Sequence, residues 1–329
     1  AYNTTSDALV DLFATIGSLR MADDKRINTL FDEAYKEDNL LATKCLFYAR
    51  DIREGLGERE TIRKLLKYVA NNHQEALRKN IALIGEYGRW DDLYELVGTP
   101  LEEDMWKVIN FRWQADNINM HIGNKDGVSL LAKWLKSTNT SSRESAKLGM
   151  LTANKLNLTV AKYRKTLSKL RRYLKVVERQ MSDNNWNEIN YSGIPSKAAM
   201  KYRKAFKIHD NERYTEYLES LKKGEAKINA GALFPYDIVE KYIRNSMRSR
   251  IQEDTVLEEQ WKALPDYVND EANAIVMADT SGSMTCDEGR PLHSALALAL
   301  YFAERNKGAY HGLWMSFSES PSLDRKSVV

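Results

Sequence analysis

The stretch Ala274–Met284, with the sequence AIVMADTSGSM, decides the fold that is predicted for this chain. Its five leading apolar residues run directly into a polar loop. A short, continuous apolar run is typical of a strand that is covered on both faces, as in a parallel sheet with helices on each side. The loop would then lie at the carboxyl end of the strand, which is where open α/β sheets bind ligands.

The polar loop carries the ligands that a hard divalent cation prefers. Asp279 supplies a carboxylate, and Ser281 and Ser283 supply hydroxyls on alternate residues. Gly282 lets the backbone turn tightly between them, and oxygen ligands of this kind suit Mg²⁺ that retains several waters. We therefore predict a metal site at Asp279, Ser281 and Ser283, with Mg²⁺ or a similar divalent cation as cofactor. A second interpretation stays open, in which Asp279 caps the next helix or forms an Asx turn.

Length and composition limit the classes of protein to which the chain can belong. Its 329 residues suffice for about two domains and a sizeable core. It contains no apolar run of the roughly 18 residues that a membrane span requires, and no signal-peptide pattern. Cys45 and Cys286 lie far apart in dissimilar contexts, which favours a reducing compartment, the cytoplasm, although a single bridge would still be compatible with them.

The charge is distributed unevenly along the chain. Residues 131–250 contain 26 lysines and arginines against 11 aspartates and glutamates, a net charge of +15, so the remainder carries −12 of the overall +3. Within residues 131–180 the basic residues number 13 and the acidic residues 2. A segregated basic region of this kind is typical of a protein that binds a polyanion, and nucleic acid is the first candidate.

The region before the loop is predicted to be mainly α-helical. Leu40, Leu41, Cys45, Tyr48 and Ala49 recur at helical spacing, and comparable stripes joined by tight turns follow as far as residue 120. Short helices joined by tight turns build α-solenoids, and without a fixed sequence period we expect irregular, HEAT-like repeats. The predicted domains are a helical-repeat domain at 1–265 and an α/β domain at 271–329. Because one strand-helix-strand unit takes about 30 residues, the second is expected to be incomplete, the N-terminal part of such a domain.

One long helix within the basic region has two distinct faces. Its apolar stripe is formed by Tyr163, Leu167, Leu170, Leu174 and Val177, which are spaced by three and four residues. The opposite arc carries Lys162, Arg164, Lys165, Lys169, Arg171, Arg172 and Lys175. An ordinary solvated face mixes charges of both signs, whereas this one has almost no acidic residue, so we predict that it binds RNA and that Lys169, Arg171 and Arg172 face an open groove. If these residues instead paired with acidic residues of the first 130 positions, the charge asymmetry would be internal complementarity.

A second basic cluster follows further along the chain. Its predicted RNA-binding members are Lys201, Arg203, Lys204 and Lys207. Tyr191, Tyr202 and Phe206 are interleaved with this cluster, an arrangement that suits bases stacking on rings while the cations neutralise phosphates. The other interpretation is that these aromatic residues belong to the core of an amphipathic helix.

These features together resemble a known family. The pattern Asp279-x-Ser281-x-Ser283 looks like the first segment of the metal-ion-dependent adhesion site (MIDAS) of von Willebrand factor A domains. Helical repeats followed by such a domain resemble the TROVE module of Ro ribonucleoproteins, and more closely an uncharacterised branch of related proteins from phages, bacteria and some eukaryotes. The best-matching stretches are Gly88–Leu93, Tyr163–Lys165, Leu233–Pro235 and Asp279–Met284.

The resemblance implies a Rossmann-like A domain and helical repeats that close into a ring. In Ro proteins such a ring binds single-stranded RNA ends in its basic cavity and structured small RNA on its outside. The later loops from which that family draws further threonine and aspartate metal ligands are absent from this sequence. Three ligands alone would hold a cation weakly.

The predicted function is therefore that of a non-enzymatic RNA-binding protein, a ribonucleoprotein component with a metal-dependent interaction loop. The alternative is a protein-interaction scaffold whose loop binds an acidic protein partner through a divalent cation. An enzyme is least expected, because the chain contains no P-loop, no Gly-x-Ser-x-Gly elbow and no His-Glu-x-x-His motif. The histidines are scattered, and only His293 lies beside the loop. No membrane partner is predicted.

Overall fold

The structure, a computed structural model, describes residues 5–246, 253–268 and 274–325. The fold is mainly α-helical and includes a small mixed sheet near the C-terminus, so the predicted fold class is confirmed. The chain divides into two compact units, Ala1–Asn184 and Asn185–Val329. In the described residues, no helix combines the length and the apolar character needed to cross a membrane.

The first unit consists of helices and turns. Its α-helices are α1 (Ala8–Thr15), α2 (Asp24–Glu37), α3 (Asn39–Arg50), α4 (Glu60–Asn72), α5 (Gln74–Arg78), α6 (Ile81–Tyr87), α7 (Glu102–His121), α8 (Leu131–Trp134), α9 (Arg143–Lys155), α10 (Val160–Tyr173) and α11 (Val177–Ser182). Short 3-10 helices span Ile16–Met21 and Trp90–Leu96. Several of the α-helices begin where a side-chain oxygen accepts a backbone N–H of the first turn, as Asp38 does from Leu41 at 2.8 Å.

Helix α3 exists as predicted, but most of its apolar residues noted in the sequence are not buried. Leu40, Leu41 and Tyr48 are exposed, whereas Leu46 and Ala49 are almost completely buried. The helix carries apolar residues on more than one side, so their spacing alone did not determine which side packs. The predicted helix is therefore confirmed, although of the residues at helical spacing Ala49 is buried and Leu40, Leu41 and Tyr48 are not.

A buried network of charged residues joins α3, α4 and the 3-10 helix Trp90–Leu96. Asp92 is fully buried, and its two carboxylate oxygens each accept a hydrogen bond at 2.8 Å, one from Arg50 Nε and one from Arg63 Nε. The backbone N–H of Arg89 donates to the same carboxylate at 3.0 Å, so Asp92 caps the 3-10 helix. A methyl group on Gly88 would lie 2.7 Å from Asp92 Oδ2, which explains why glycine occupies that position.

The second unit combines helices with the sheet. Its elements are α12 (Ser196–His209), α13 (Asn211–Lys222), α14 (Pro235–Ser246), α15 (Thr255–Lys262), β1 (Val276–Asp279), α16 (Arg290–Arg305), β2 (Leu313–Phe317) and β3 (Ser322–Arg325). Short 3-10 helices span Trp186–Glu188, Tyr191–Gly193, Gly282–Thr285 and Asp287–Gly289. Strands β1 and β2 are parallel, with Val276 opposite Trp314 and Asp279 opposite Phe317, and α16 crosses between them. Strand β3 pairs antiparallel with β2.

The sheet packs on α16 through alanines of both elements and one tryptophan. Ala278 of β1 and Trp314 of β2 form a buried cluster with Ala299 and Ala303 of the helix. Helix α14 also packs against α16, so a helix that precedes the predicted domain boundary shares a compact unit with the sheet. Residues 269–273, where part of that boundary falls, lie outside the described residues. The predicted limits of 1–265 and 271–329 stay predictions.

Candidate functional site

Helix α10 buries the apolar side that its sequence predicts. Tyr163, Leu167 and Leu170 are buried, and the Thr159 hydroxyl accepts the N–H of Lys162 to cap the helix start. The helix ends at Tyr173, because Lys175 adopts a left-handed conformation with φ of 50°. The predicted continuation to Val177 is therefore wrong, and Val177 is instead the first residue of α11.

The outer face of α10 presents cations that no carboxylate of the described residues neutralises. The side chains of Lys162, Arg164, Lys165 and Lys169 are exposed, and so is that of Lys175 just beyond the helix. Within the described part of the chain, none of the five forms an ion pair. A cluster of like charges destabilises a fold unless a ligand neutralises it, so these residues form the candidate RNA-binding surface of the first unit.

Arg171 has a different environment from the other basic residues of α10. It is half-buried, and its guanidinium donates to Ala132 O at 2.8 Å, Ser137 Oγ at 2.9 Å and Leu135 O at 2.7 Å. The Tyr163 hydroxyl donates to Lys136 O at 2.8 Å. Burial lowers the pKa of Arg171. Arg171 and Tyr163 together hold the segment 132–137 against the inner side of α10.

We expect Arg171→Lys to destabilise the first unit by about 2–3 kcal/mol, because a lysine cannot reach all three acceptors and would leave buried carbonyls unpaired. Urea unfolding followed by circular dichroism measures the loss. Arg172→Lys is the matched control, since Arg172 is exposed and pairs with Asp183 at 3.2 Å on the surface; it should change the free energy of unfolding by less than about 1 kcal/mol. Equal effects of the two substitutions would contradict the anchoring role of Arg171.

The alternative to an open groove, pairing with acidic residues of the first 130 positions, occurs at other basic residues of this region. Lys136 pairs with Asp91 at 3.1 Å, and Lys155 pairs with Glu103. Arg172 pairs instead with Asp183. Internal complementarity therefore accounts for part of the charge asymmetry, but in the described residues it does not reach the outer face of α10.

The second basic cluster lies on α12. Lys201, Lys204 and Lys207 are exposed, and the Lys201 ammonium lies 4.9 Å from the centre of the Tyr202 ring. Arg203 is largely buried and donates to Asp254 Oδ2 at 2.6 Å, which ties α12 to the start of α15. Arg203 is therefore held by the fold, and the three lysines form the candidate surface of this unit.

The aromatic residues near α12 belong mostly to its core. Tyr191 and Phe206 are buried and pack against each other with their ring centres 5.3 Å apart. The Tyr191 hydroxyl donates to Asp210 at 2.6 Å. Tyr202 is half-buried. The core interpretation therefore applies to Tyr191 and Phe206, which do not present a free face for base stacking.

The predicted metal loop follows the carboxyl end of β1. The backbone N–H of Ser281 donates to Asp279 Oδ1 at 2.9 Å, and the Ser281 and Ser283 hydroxyl oxygens are 3.0 Å apart. Hydrogen bonds from the Ser281 hydroxyl and N–H lower the pKa of Asp279, so its carboxylate is ionised at neutral pH. Thr280 N–H donates to Phe317 O at 2.8 Å and joins the loop to the end of β2.

This geometry fits both interpretations of the loop. The contact between Asp279 and the Ser281 N–H is an Asx turn. Adjacent ligands of an octahedral Mg²⁺ with bonds of about 2.1 Å lie about 3.0 Å apart, which matches the separation of the two hydroxyls. In the described ranges, no group of three or more histidine, cysteine, aspartate or glutamate side chains is placed to hold a metal. His293 is buried on α16 beside Gly289.

Comparison with known proteins places the chain among relatives without an assigned function. The family model described as a Domain of unknown function (DUF2828) matches residues 1–119 and 128–273, which include both basic helices and end before β1. An uncharacterized protein of Acanthamoeba polyphaga mimivirus is 32% identical over 363 aligned positions, which cover 98% of this chain and 61% of the relative. The chain therefore spans less than two thirds of that relative. No solved structure matches this chain.

Proposed function

This chain belongs to the DUF2828 family, and we propose that it is a non-enzymatic RNA-binding protein of the cytoplasm whose main contact surface is the outer face of α10. Lys201, Lys204 and Lys207 of α12 provide a second contact. The RNA is single-stranded or a structured small RNA. We propose further that the chain is related to the TROVE module of Ro ribonucleoproteins and that residues 271–329 form the N-terminal part of a von Willebrand A-like domain.

One observation carries the proposal: Lys162, Arg164, Lys165 and Lys169 stand exposed on one helix with no ion pair among the described residues. The apolar side of α10 is buried, and Arg171 ties the helix to the segment 132–137, so the cations are presented by a rigid element. A rigid array of lysines and arginines is suited to successive phosphates of a nucleic-acid backbone, because no ion pair has to be broken before it binds.

The loop after β1 supplies a second part of the proposal. Asp279, Ser281 and Ser283 would hold Mg²⁺ or a similar cation. Such an ion would supply a Lewis-acidic position for an oxygen ligand from an interacting molecule. The three residues orient their oxygens through the Asx turn and the mutual hydrogen bond of the two hydroxyls.

We expect wild-type protein to bind single-stranded RNA with an affinity that falls steeply with salt. Contacts to about six phosphates of a single strand would lower the binding constant by about 300-fold between 50 and 200 mM salt. Fluorescence anisotropy of a labelled oligoribonucleotide at several salt concentrations measures the slope. A chelator should leave this binding nearly unchanged, because the basic helix needs no metal.

The alternative function, a scaffold that binds an acidic protein partner through the metal loop, gives the opposite pattern. It rests on the convergence of the Asp279 carboxylate and the two serine hydroxyls. Binding of such a partner would be lost with chelator or with Asp279→Ala and would respond weakly to the charge of α10. An absence of RNA binding at low salt would contradict the RNA proposal and leave the scaffold as the function to test.

A further inference from the structure

A cleft beside α10 gathers basic and hydroxyl side chains from three segments of the first unit. Its volume is about 410 Å³. It is lined by Ser137, Arg164, Lys165, Ser168, Arg171 and Arg179, with further contributions from neighbouring residues. These come from α10, from the polar segment that follows α8, and from α11, so the cleft exists only because the fold brings the three together.

The two arginines at the inner side of the cleft are held in place by the protein. Arg171 uses three N–H groups for Ala132 O, Leu135 O and Ser137 Oγ. A guanidinium has five N–H donors, so two of them remain for a ligand. The Nε of Arg179 donates to Asp183 Oδ2 at 2.8 Å, which fixes its orientation without placing an acidic side chain in the lining.

The charge of the cleft favours a group with more than one negative charge. Four of the described residues that line it are cationic and none is acidic, and among these four only Arg179 pairs with a described carboxylate, that of Asp183. Arg164 and Lys165 are exposed at the cleft and have no ion pair within the described chain. An internal phosphodiester carries one negative charge, whereas a phosphate monoester carries about 1.5–2 charges at neutral pH and offers three acceptor oxygens.

We propose that this cleft binds the terminal phosphate monoester of an RNA chain whose backbone then runs along the outer face of α10. This inference rests on the proposed RNA-binding function and adds which chemical group at the end of the RNA chain the protein recognises. Arg171 and Arg179 donate to the phosphate oxygens from the inner side. Arg164 and Lys165 neutralise the remaining negative charge of the phosphate from the exposed side. The Ser137 and Ser168 hydroxyls provide neutral donors.

The test compares one oligoribonucleotide sequence in three forms, with a 5′-phosphate, with a 3′-phosphate, or with hydroxyls at both ends. The fluorophore is attached to an internal base so that both ends are unmodified. Wild-type protein should bind one phosphorylated form about tenfold more tightly than the hydroxyl form. Charge-assisted hydrogen bonds to the terminal phosphate are strong enough to lower the Kd by this factor. Whichever phosphorylated form is preferred identifies the end that is bound.

Two double variants with the same loss of charge locate the preference. Arg164→Gln with Lys165→Gln removes the two exposed cations of the cleft, whereas Lys162→Gln with Lys169→Gln removes two cations of the same helix that do not line it. Both should weaken binding of all forms, but only the first should abolish the preference for a phosphorylated end. Circular dichroism confirms that both variants are folded.

The outcomes separate this inference from the proposed function. RNA binding with equal affinity for all three forms would overturn the terminal-phosphate inference and leave RNA binding intact. A preference that persists in the Arg164 and Lys165 variant would also overturn it. No RNA binding by the wild type would overturn the proposed function, and the inference with it.

Discussion

Replacing Lys162, Lys165 and Lys169 together with glutamate should weaken single-stranded RNA binding by roughly 100-fold or more at low salt and lower the salt slope by about 2, since each phosphate contact to a single strand contributes about 0.7. All three side chains are exposed on α10 and none has an ion-pair partner in the described residues. The substitutions therefore remove phosphate contacts without breaking an interaction that stabilises the fold. Fluorescence anisotropy across a range of salt concentrations measures both quantities.

The matched control reverses the same number of charges elsewhere in the first unit. Lys25 and Lys36 of α2 and Lys44 of α3 are also exposed and have no ion pair within the described chain. Their replacement by glutamate should reduce RNA binding by only a few-fold, through the change in overall charge. If both triple variants lost binding equally, RNA binding would depend on the net charge of the protein and not on a specific surface formed by α10.

Asp92→Asn should destabilise the first unit by about 3–5 kcal/mol, a large part of the roughly 5–15 kcal/mol that stabilises a typical domain. The reason is that Asp92 is fully buried and accepts hydrogen bonds from Arg50, Arg63 and the backbone of Arg89. An asparagine would leave the Arg50 guanidinium, only 4% exposed, without its counter-charge. Urea unfolding followed by circular dichroism measures the change.

Asp24→Asn is the control for the buried network. Asp24 pairs with Lys64 at 2.8 Å, but its side chain is 70% exposed, so the loss should be below about 1 kcal/mol. Comparable losses for Asp24→Asn and Asp92→Asn would show that burial does not determine the strength of the Asp92 network. Asp92→Asn should also leave the RNA affinity of the folded protein unchanged, because the network does not reach the outer face of α10.

Prediction from sequence succeeded where a local pattern controls the structure. The spacing of Tyr163, Leu167 and Leu170 predicted the buried side of α10, because side chains three and four apart share a helix face. The apolar run before Asp279 predicted a strand, and that strand pairs in parallel with β2 across α16. Met277 is 58% exposed, so the predicted cover on both faces of the strand is wrong. The antiparallel strand β3 was not expected.

The sequence did not reveal which basic side chains have partners far away in the chain. Arg171 and Arg203 were grouped with their exposed neighbours, but Arg171 is half-buried and donates to carbonyls of segment 132–137, and Arg203 pairs with Asp254. Nothing in the spacing of basic residues distinguishes an exposed guanidinium from one that has been paired by folding. Arg179 and Ser137 were missed for the same reason, because only tertiary contact brings them to the cleft.

The sequence by itself determined the mainly helical class, the basic region around α10, and the polar loop that follows strand β1. These depend on composition and on the periods of helix and strand, which are local properties of the chain. Tertiary structure decided which cations remain unpaired, which face of α3 is buried, and that Asp92 is enclosed by two arginines from other helices. Those outcomes depend on burial and on the distance between residues far apart in the chain, and both quantities exist only once the helices have packed.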